Sequence, residues 1–221
     1  HDDAIVDCCW KPTFSMTLPE LRSGVYAVRL RAGDVEDHLC FFVRPKKPKA
    51  PIAMLMPTCS YLAYANDRLG LDYPVSQLVS AHVPVFHKWD MDLAKHPEYG
   101  ASTYDHHSDG GGVCYSSRRR PIFNIRPRHR MAGTAVAWQF PADLSIIYWL
   151  EKRGYDYDVI TDEDLHQEGV ECLSPYQVVI NGTHAEYYSE RMMDATEDYV
   201  AAGGRLMYLS GNGYYWVVSF R

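Results

Sequence analysis

The chain has 221 residues, enough for one large or two small domains with a hydrophobic core. Hydrophobic residues make up 47% and charged residues 23%, a composition that excludes an intrinsically disordered protein. No apolar run approaches the roughly 20 residues that cross a bilayer, and a net charge of −6 argues against a general nucleic-acid binder. We therefore expect neither a membrane nor a nucleic acid as partner.

Residues 1–50 have the pattern of a β module. Apolar and polar residues alternate over 25–31, Ala32, Gly33 and Asp34 form a turn, and residues 37–44 predict a second strand. The proline- and lysine-containing stretch 45–49 is typical of a linker. This part of the chain is predicted to be the end of an all-β, sandwich-like module followed by a linker.

Residues 51–221 have the pattern of an α/β domain. The apolar run 51–56 predicts a strand buried on both faces. Helices are predicted over 141–153 and 189–202, the second with Met192, Ala195, Tyr199 and Val200 facing inward, and Asp162 is the expected N-cap of another. Further strands are predicted over 157–161, 176–180 and 205–209. Alternating strands and helices predict a parallel sheet flanked by helices.

The segment 67–140 lacks both helical and strand periodicity. It holds histidines, glycines, arginines and prolines in no regular order, which is typical of a functional insertion. We expect the α/β domain to be incomplete and to belong to a longer polypeptide. Ligands of open parallel sheets bind at the carboxyl ends of the strands, which directs attention to the loops 57–66, 181–187 and 211–213.

The six cysteines form no C-x-x-C pair and follow no regular spacing. This argues against a zinc ribbon or a disulfide framework and favours buried thiols in a reducing compartment. The chain also opens without a charged-then-apolar signal segment. We therefore expect a cytoplasmic protein.

Several motifs, in one order along the chain after residue 51, resemble the large (beta) subunit of the N,N-dimethylformamidase family. They are Pro-Thr-Cys-Ser-Tyr-Leu-Ala-Tyr-Ala-Asn at 57–66, Ser-Thr-Tyr-Asp-His-His at 102–107, Ser-Ser-Arg-Arg-Arg-Pro at 116–121, Asp-Val-Ile-Thr-Asp-Glu-Asp-Leu-His at 158–166, Gly-Thr-His-Ala-Glu-Tyr at 182–187 and the glycine-rich segment 203–216.

The resemblance implies an amidohydrolase with one iron ion, expected as Fe3+, held by two tyrosinates and a glutamate. Carried over by motif, the metal ligands are Tyr64, Tyr104 and Glu186, and His184 is the acid/base or substrate-orienting group beside Glu186. It further implies a glutamine-amidotransferase-like fold, a small partner subunit and homo-oligomerisation of the large subunit. The expected reaction converts N,N-dimethylformamide to dimethylamine and formate.

The chemistry of these residues agrees with such a site. Hard oxygen ligands suit a hard ion, whereas zinc favours histidine and cysteine. A metal with open positions can polarise a carbonyl and activate water, and a histidine can give a proton to the leaving amine. A dialkylamide has no N–H, so its pocket should be apolar and partly aromatic. The candidates for its wall are Tyr61, Tyr187 and Trp216.

Each of these residues also has a structural interpretation. Tyr61 and Tyr64 have the i, i+3 spacing of core residues on a helix, and Glu186 has the sequence position of a first-turn acid. Cys59 is expected to be a buried thiol rather than a nucleophile. His106 and His107 are expected in turn structure and not in a zinc site.

The basic run 118–130 is expected to form ion pairs within the domain or a subunit contact. Two other functions stay open beside the leading one. The first is a related hydrolase of another small amide. The second is a non-catalytic, glutamine-amidotransferase-like binding or assembly domain.

Overall fold

The structure is a computed structural model that describes residues 6–71, 77–78 and 80–221. Its helices are α1 (Thr58–Ala63), α2 (Lys88–Lys95), α3 (Phe140–Arg153), α4 (Asp162–Glu168), α5 (Val170–Leu173) and α6 (Glu190–Ala201), with a 3-10 helix at Pro97–Tyr99. Its strands are β1 (Gly24–Ala32), β2 (Val35–Val43), β3 (Ile52–Met56), β4 (Tyr157–Thr161), β5 (Val178–Asn181), β6 (Tyr187–Tyr188), β7 (Arg205–Tyr208) and β8 (Trp216–Val217).

The chain forms two compact units. The first unit consists of His1–Thr17 and Tyr61–Pro141, and the second unit consists of Leu18–Ser60 and Ala142–Arg221. The chain passes from the second unit into the first within α1 and returns near the start of α3. The division into a β segment over 1–50 and an α/β domain over 51–221 stays a prediction.

A parallel sheet with strand order β4-β3-β5-β7 organises the second unit. Ile52 of β3 pairs with Tyr157 of β4 on one side and with Val178 of β5 on the other. Four of the five residues of β3 are buried, as a strand covered on both faces requires. The predicted mixed α/β architecture with a parallel sheet is confirmed.

Strands β1 and β2 form the antiparallel hairpin that alternation in the sequence predicts. Their register runs from Gly24 opposite Val43 to Ala32 opposite Val35. The turn between them places Gly33 at φ +59°, in the left-handed region that glycine enters readily. Whether this hairpin belongs to a sandwich stays a prediction.

The predicted helices over 141–153 and 189–202 agree with α3 and α6 to within one residue at each end, whereas α1 lies in the segment 57–66, which was wrongly predicted to be a loop. Helix α4 begins at the predicted acidic stretch, but its N-cap is Thr161, whose hydroxyl accepts a hydrogen bond from the amide of Asp164. Asp162, the predicted cap, is the first helical residue. In α6 the predicted inward residues Met192, Ala195 and Tyr199 are buried, whereas Val200 is 47% exposed.

The first unit is mostly loop. Between 67 and 140 its described residues contain α2 and the short 3-10 helix, joined by turns, in agreement with the missing periodicity. Its interior includes Tyr61, which is fully buried and packs its ring against the edge of Phe140 at 5.8 Å. Over the described ranges, no helix combines the length and the apolar character needed to span a membrane.

Candidate active site

The two predicted phenol ligands lie side by side in the first unit. The rings of Tyr64 and Tyr104 stack with centroids 4.1 Å apart and planes 20° apart. Trp138 packs edge-on against Tyr64 at 4.6 Å. Tyr64 is 6% exposed. Two tyrosines that are 40 positions apart in sequence are therefore brought together in an aromatic cluster.

Hydrogen bonds fix the turn that carries Tyr104 to the end of α1. The backbone amide of Thr103 donates to the carbonyl of Ala63 at 2.9 Å, and the Thr103 hydroxyl donates to the same oxygen at 3.0 Å. The amide of Ser102 donates to the carboxylate of Asp105 at 2.7 Å. Since Ala63 directly precedes Tyr64, these bonds hold the two phenol-bearing segments in register.

The buried Arg120 braces the same region, a role that the sequence pattern did not reveal. Its guanidinium donates to the carbonyl of Ala101 at 2.7 Å and to the hydroxyl of Ser116 at 2.8 Å. Ser116 in turn donates to the carbonyl of Leu62 in α1. Arg120 is 6% exposed, and burial lowers the pKa of its guanidinium.

Other arginines of the basic run also have partners inside the first unit. Arg119 forms an ion pair with Asp7 at 3.3 Å. Arg126 lies over the ring of Phe123 at 4.5 Å and donates to the carbonyl of Ile122. These contacts agree with the expected ion pairs and packing of the run within the domain.

The predicted histidine and glutamate form a hydrogen-bonded pair in the second unit. Nε2 of His184 lies 3.1 Å from Oε2 of Glu186. Glu186 is 3% exposed. Burial lowers the pKa of His184, and the carboxylate of Glu186 opposes this shift. The lowered pKa favours the neutral imidazole, which carries one proton and can accept another.

Two serines hold the backbone of the loop that carries this pair. The hydroxyl of Ser60 accepts hydrogen bonds from the amides of Glu186 at 2.9 Å and Tyr187 at 3.4 Å. The hydroxyl of Ser210 accepts one from the amide of Ala185. These serines lie 126 and 25 positions away from their partners, so the sequence contains no local signal for either contact.

The start of the loop is packed too closely for a side chain. A Cβ on Gly182 would lie 2.6 Å from Cδ of Pro57 and 2.8 Å from a carboxylate oxygen of Asp143. The other carboxylate oxygen of Asp143 accepts the amide of Thr183 at 2.5 Å. Glycine at this position therefore lets the end of β5 approach the end of β3.

Further polar contacts gather at the carboxyl ends of β3 and β4. The hydroxyl of Thr58 donates to Glu163 at 2.6 Å, and the amide of Cys59 donates to Asp162 at 2.8 Å. Cys59 is 8% exposed, in agreement with the expected buried thiol. The sequence did not single out Asp162 or Glu163 as neighbours of this edge.

The candidate wall residues have different environments. Tyr61 is fully buried and Tyr187 is 8% exposed, whereas Trp216 is 50% exposed. Tyr187 and Trp216 face each other in the register of the two-stranded sheet β6-β8, and the amide of Trp216 donates to the carbonyl of Glu186 at 3.1 Å. Their part in a substrate pocket stays a prediction.

Tyrosine and carboxylate oxygens are hard ligands that suit a hard metal ion. Tyr64 and Glu186 are each buried within their own unit, and metal binding by them stays a prediction. In the described ranges, histidine, cysteine, aspartate and glutamate form no group of three that could hold a metal. His106 is exposed and forms an isolated β-bridge with Gly112, whereas His107 is 8% exposed. The expected solvent-exposed turn is therefore wrong for His107.

Comparison with known proteins shows that the whole chain is similar to one protein family. The family model described as N,N-dimethylformamidase beta subunit-like, C-terminal, matches residues 1–221. The chain is 48% identical over 223 residues to the N,N-dimethylformamidase beta subunit of Paracoccus aminophilus. It is 48% identical over 222 residues to the protein of the same name from an Alcaligenes species. Each alignment covers 99% of this chain but 29% of the relative. The resemblance that the sequence motifs indicate is confirmed.

Proposed function

Since the chain belongs to the N,N-dimethylformamidase beta subunit-like, C-terminal family, we propose that it is the metal-binding part of an amidohydrolase. The proposed substrate is a small N-substituted formamide, with N,N-dimethylformamide hydrolysed to dimethylamine and formate. The stack of Tyr64 on Tyr104 carries this proposal, because it brings together two phenols that have no common sequence pattern.

The proposed ligands of a ferric ion are Tyr64, Tyr104 and Glu186. The bonds from Thr103 to the carbonyl of Ala63 support the phenol pair, and the amide bonds to Ser60 support the position of Glu186. Such an ion, when bound, supplies Lewis acidity toward an amide oxygen and toward water.

His184 is the proposed acid/base group. The nitrogen of a dialkylamide must receive a proton before it can leave, because a dialkylamide anion is a very poor leaving group. A neutral imidazole can take a proton from water and pass it to that nitrogen. Its bond to Glu186 fixes the ring, and burial favours its neutral form.

The same family supports proposals for the subunits, the fold and the cellular location of the protein. The relatives are named beta subunits, which supports a small partner subunit, and we keep homo-oligomerisation of the large subunit as a proposal. The parallel sheet is compatible with a glutamine-amidotransferase-like fold. The six cysteines all lie in the described ranges and form no disulfide bond there, which supports a cytoplasmic location.

Elemental analysis and absorption spectroscopy of the intact protein test the proposal. A ferric tyrosinate centre gives stoichiometric iron and a visible colour. Tyr64→Phe should lose the colour and most of the iron. Tyr148→Phe, a change on the exposed face of α3, should keep both. A colourless protein that stays iron-free after reconstitution would reject the metal site and favour a non-catalytic binding domain.

A further inference from the structure

A small cavity in the first unit is lined by an unusual set of polar side chains. It has a volume of about 20 Å3, and its wall includes Asp67, Trp89, Asp90, Asn124 and His129. A cavity needs a volume of about 10–15 Å3 to hold one water molecule. This one therefore has room for a single small molecule and no more.

Three of these wall residues have a buried polar atom without a hydrogen-bond partner among the described residues. The atoms are Nε1 of Trp89, Oδ1 of Asn124 and Nδ1 of His129. Asn124 is 5% exposed and His129 is 9% exposed. Buried polar groups are rarely left unpaired, because each lost hydrogen bond is costly in a protein interior. Three such atoms on one small cavity point to a common partner.

The three atoms are complementary in their hydrogen-bonding roles. The indole Nε1–H of Trp89 can only donate, and Oδ1 of Asn124 can only accept. Burial, followed by the charge of Arg126, lowers the pKa of His129 to about 4. Its imidazole is neutral at pH 7, so one ring nitrogen is available as an acceptor.

We propose that this cavity is a binding site for one structural water molecule, which accepts from Trp89 and donates to Asn124 and His129. Water fits because it offers both a lone pair and two hydrogens. An ammonium or a metal ion has no lone pair to receive the indole N–H. An anion is disfavoured because the wall carries two acidic side chains, Asp67 and Asp90, beside the neutral His129. Burial raises the pKa of Asp67 to about 7 and also raises that of Asp90, so these side chains are neutral or negative but never positive.

The proposed water would link side chains that brace the end of α1. The amide nitrogen of the Asn124 side chain donates to the carbonyl of Tyr61 at 2.8 Å. The backbone amide of Asp67 donates to the carbonyl of Tyr64 at 3.2 Å. The wall of the cavity is thus bonded to both ends of the segment 61–64, so the water would help to fix that segment whether or not a metal binds.

A high-resolution crystal structure of the intact protein tests this site. We expect one density peak at about 2.7–3.2 Å from each of the three atoms. No density, or a peak with the short contacts or anomalous signal of a metal ion, would overturn the proposal.

Paired tryptophan variants give a second measurement. Trp89→Phe removes the donor and should displace the peak and lower the melting temperature. Trp149→Phe, on the exposed side of α3, should leave the peak and change the melting temperature far less. A peak that persists unmoved in Trp89→Phe would also contradict the assignment.

Discussion

Nε2 of His184 lies 3.1 Å from Oε2 of Glu186, on a loop whose backbone amides are held by side chains from distant parts of the second unit. The pair is two residues apart in sequence, yet its geometry depends on Ser60 and Ser210. The proposed metal ligand and the proposed acid/base group are thus placed by hydroxyls that take no part in the proposed reaction.

Replacing the two members of this pair should separate metal binding from turnover. Glu186→Ala removes a proposed ligand and should lower the bound iron several-fold. His184→Ala removes only the proton carrier, so iron content and colour should persist while kcat for formamide hydrolysis falls by about 100-fold or more. Metal analysis and steady-state kinetics of the intact protein measure both. Loss of iron in both variants would show that His184 is needed for metal binding.

Ser60→Ala should destabilise the loop of Glu186. The change leaves two backbone amides, those of Glu186 and Tyr187, without the hydroxyl they share. Leaving buried donors unsatisfied costs about 1–3 kcal/mol. Urea unfolding should show a loss of this size. Ser145→Ala, at an exposed position of α3, should change the free energy of unfolding by less than about 0.5 kcal/mol. Equal effects of the two changes would contradict the role of Ser60.

Gly182→Ala should be poorly tolerated. A methyl group there would lie closer than 3 Å to Pro57 and Asp143, and forcing extra atoms into a packed site costs about 1–3 kcal/mol. Gly112→Ala is the matched control, because no heavy atom lies within 4 Å of its added Cβ. Thermal unfolding of both variants checks the difference. A Gly182→Ala protein as stable as the control would mean that β3 and β5 separate easily.

As the pH falls from 6.5 to 4, the His129 imidazole should lower the stability of the protein, whereas Asp67, whose pKa burial raises to about 7, should raise it. Burial lowers the pKa of this imidazole from 6.5 to about 4 in the folded chain, so the unfolded chain binds the proton more tightly. The stabilisation is complete above pH 6.5, is lost as the pH falls toward 4 and amounts to about 3 kcal/mol at most.

Urea unfolding at several pH values measures this effect. As the pH falls from 6.5 to 4, the stability of His129→Gln should shift upward relative to that of the unmodified protein. His106→Gln, at an exposed site, should keep the original slope. A slope that is unchanged in His129→Gln would assign the acid sensitivity to other groups.

Local patterns in the sequence predicted most of the α/β framework. The apolar run of β3 predicted a buried strand, and Ser189 at the start of α6 acts as its cap through the amide of Met192. The cap of α4 was misplaced by one residue because Thr161 and Asp162 are both good N-caps. The capping box between Thr161 and Asp164 decides in favour of threonine.

The site could be predicted only through the family motifs. No periodicity relates Tyr64 to Tyr104, and the bonds that hold them together run through backbone carbonyls in irregular loops. The brace formed by Arg120 escaped notice for the same reason, since a buried arginine and a surface arginine look identical in a basic run. Contacts over long sequence separations are set by tertiary packing.

The β7 edge of the parallel sheet should determine how these 221 residues behave in solution when they are prepared alone. In the part of the chain that the structure describes, β7 pairs with β5 on one side only. Its Met207 is 45% exposed, and Leu209, just after the strand, is 46% exposed. An apolar, unpaired strand edge is a template on which a second copy can dock. Such a preparation should self-associate as its concentration rises, and a lysine in place of Met207 is the simplest way to keep it dispersed.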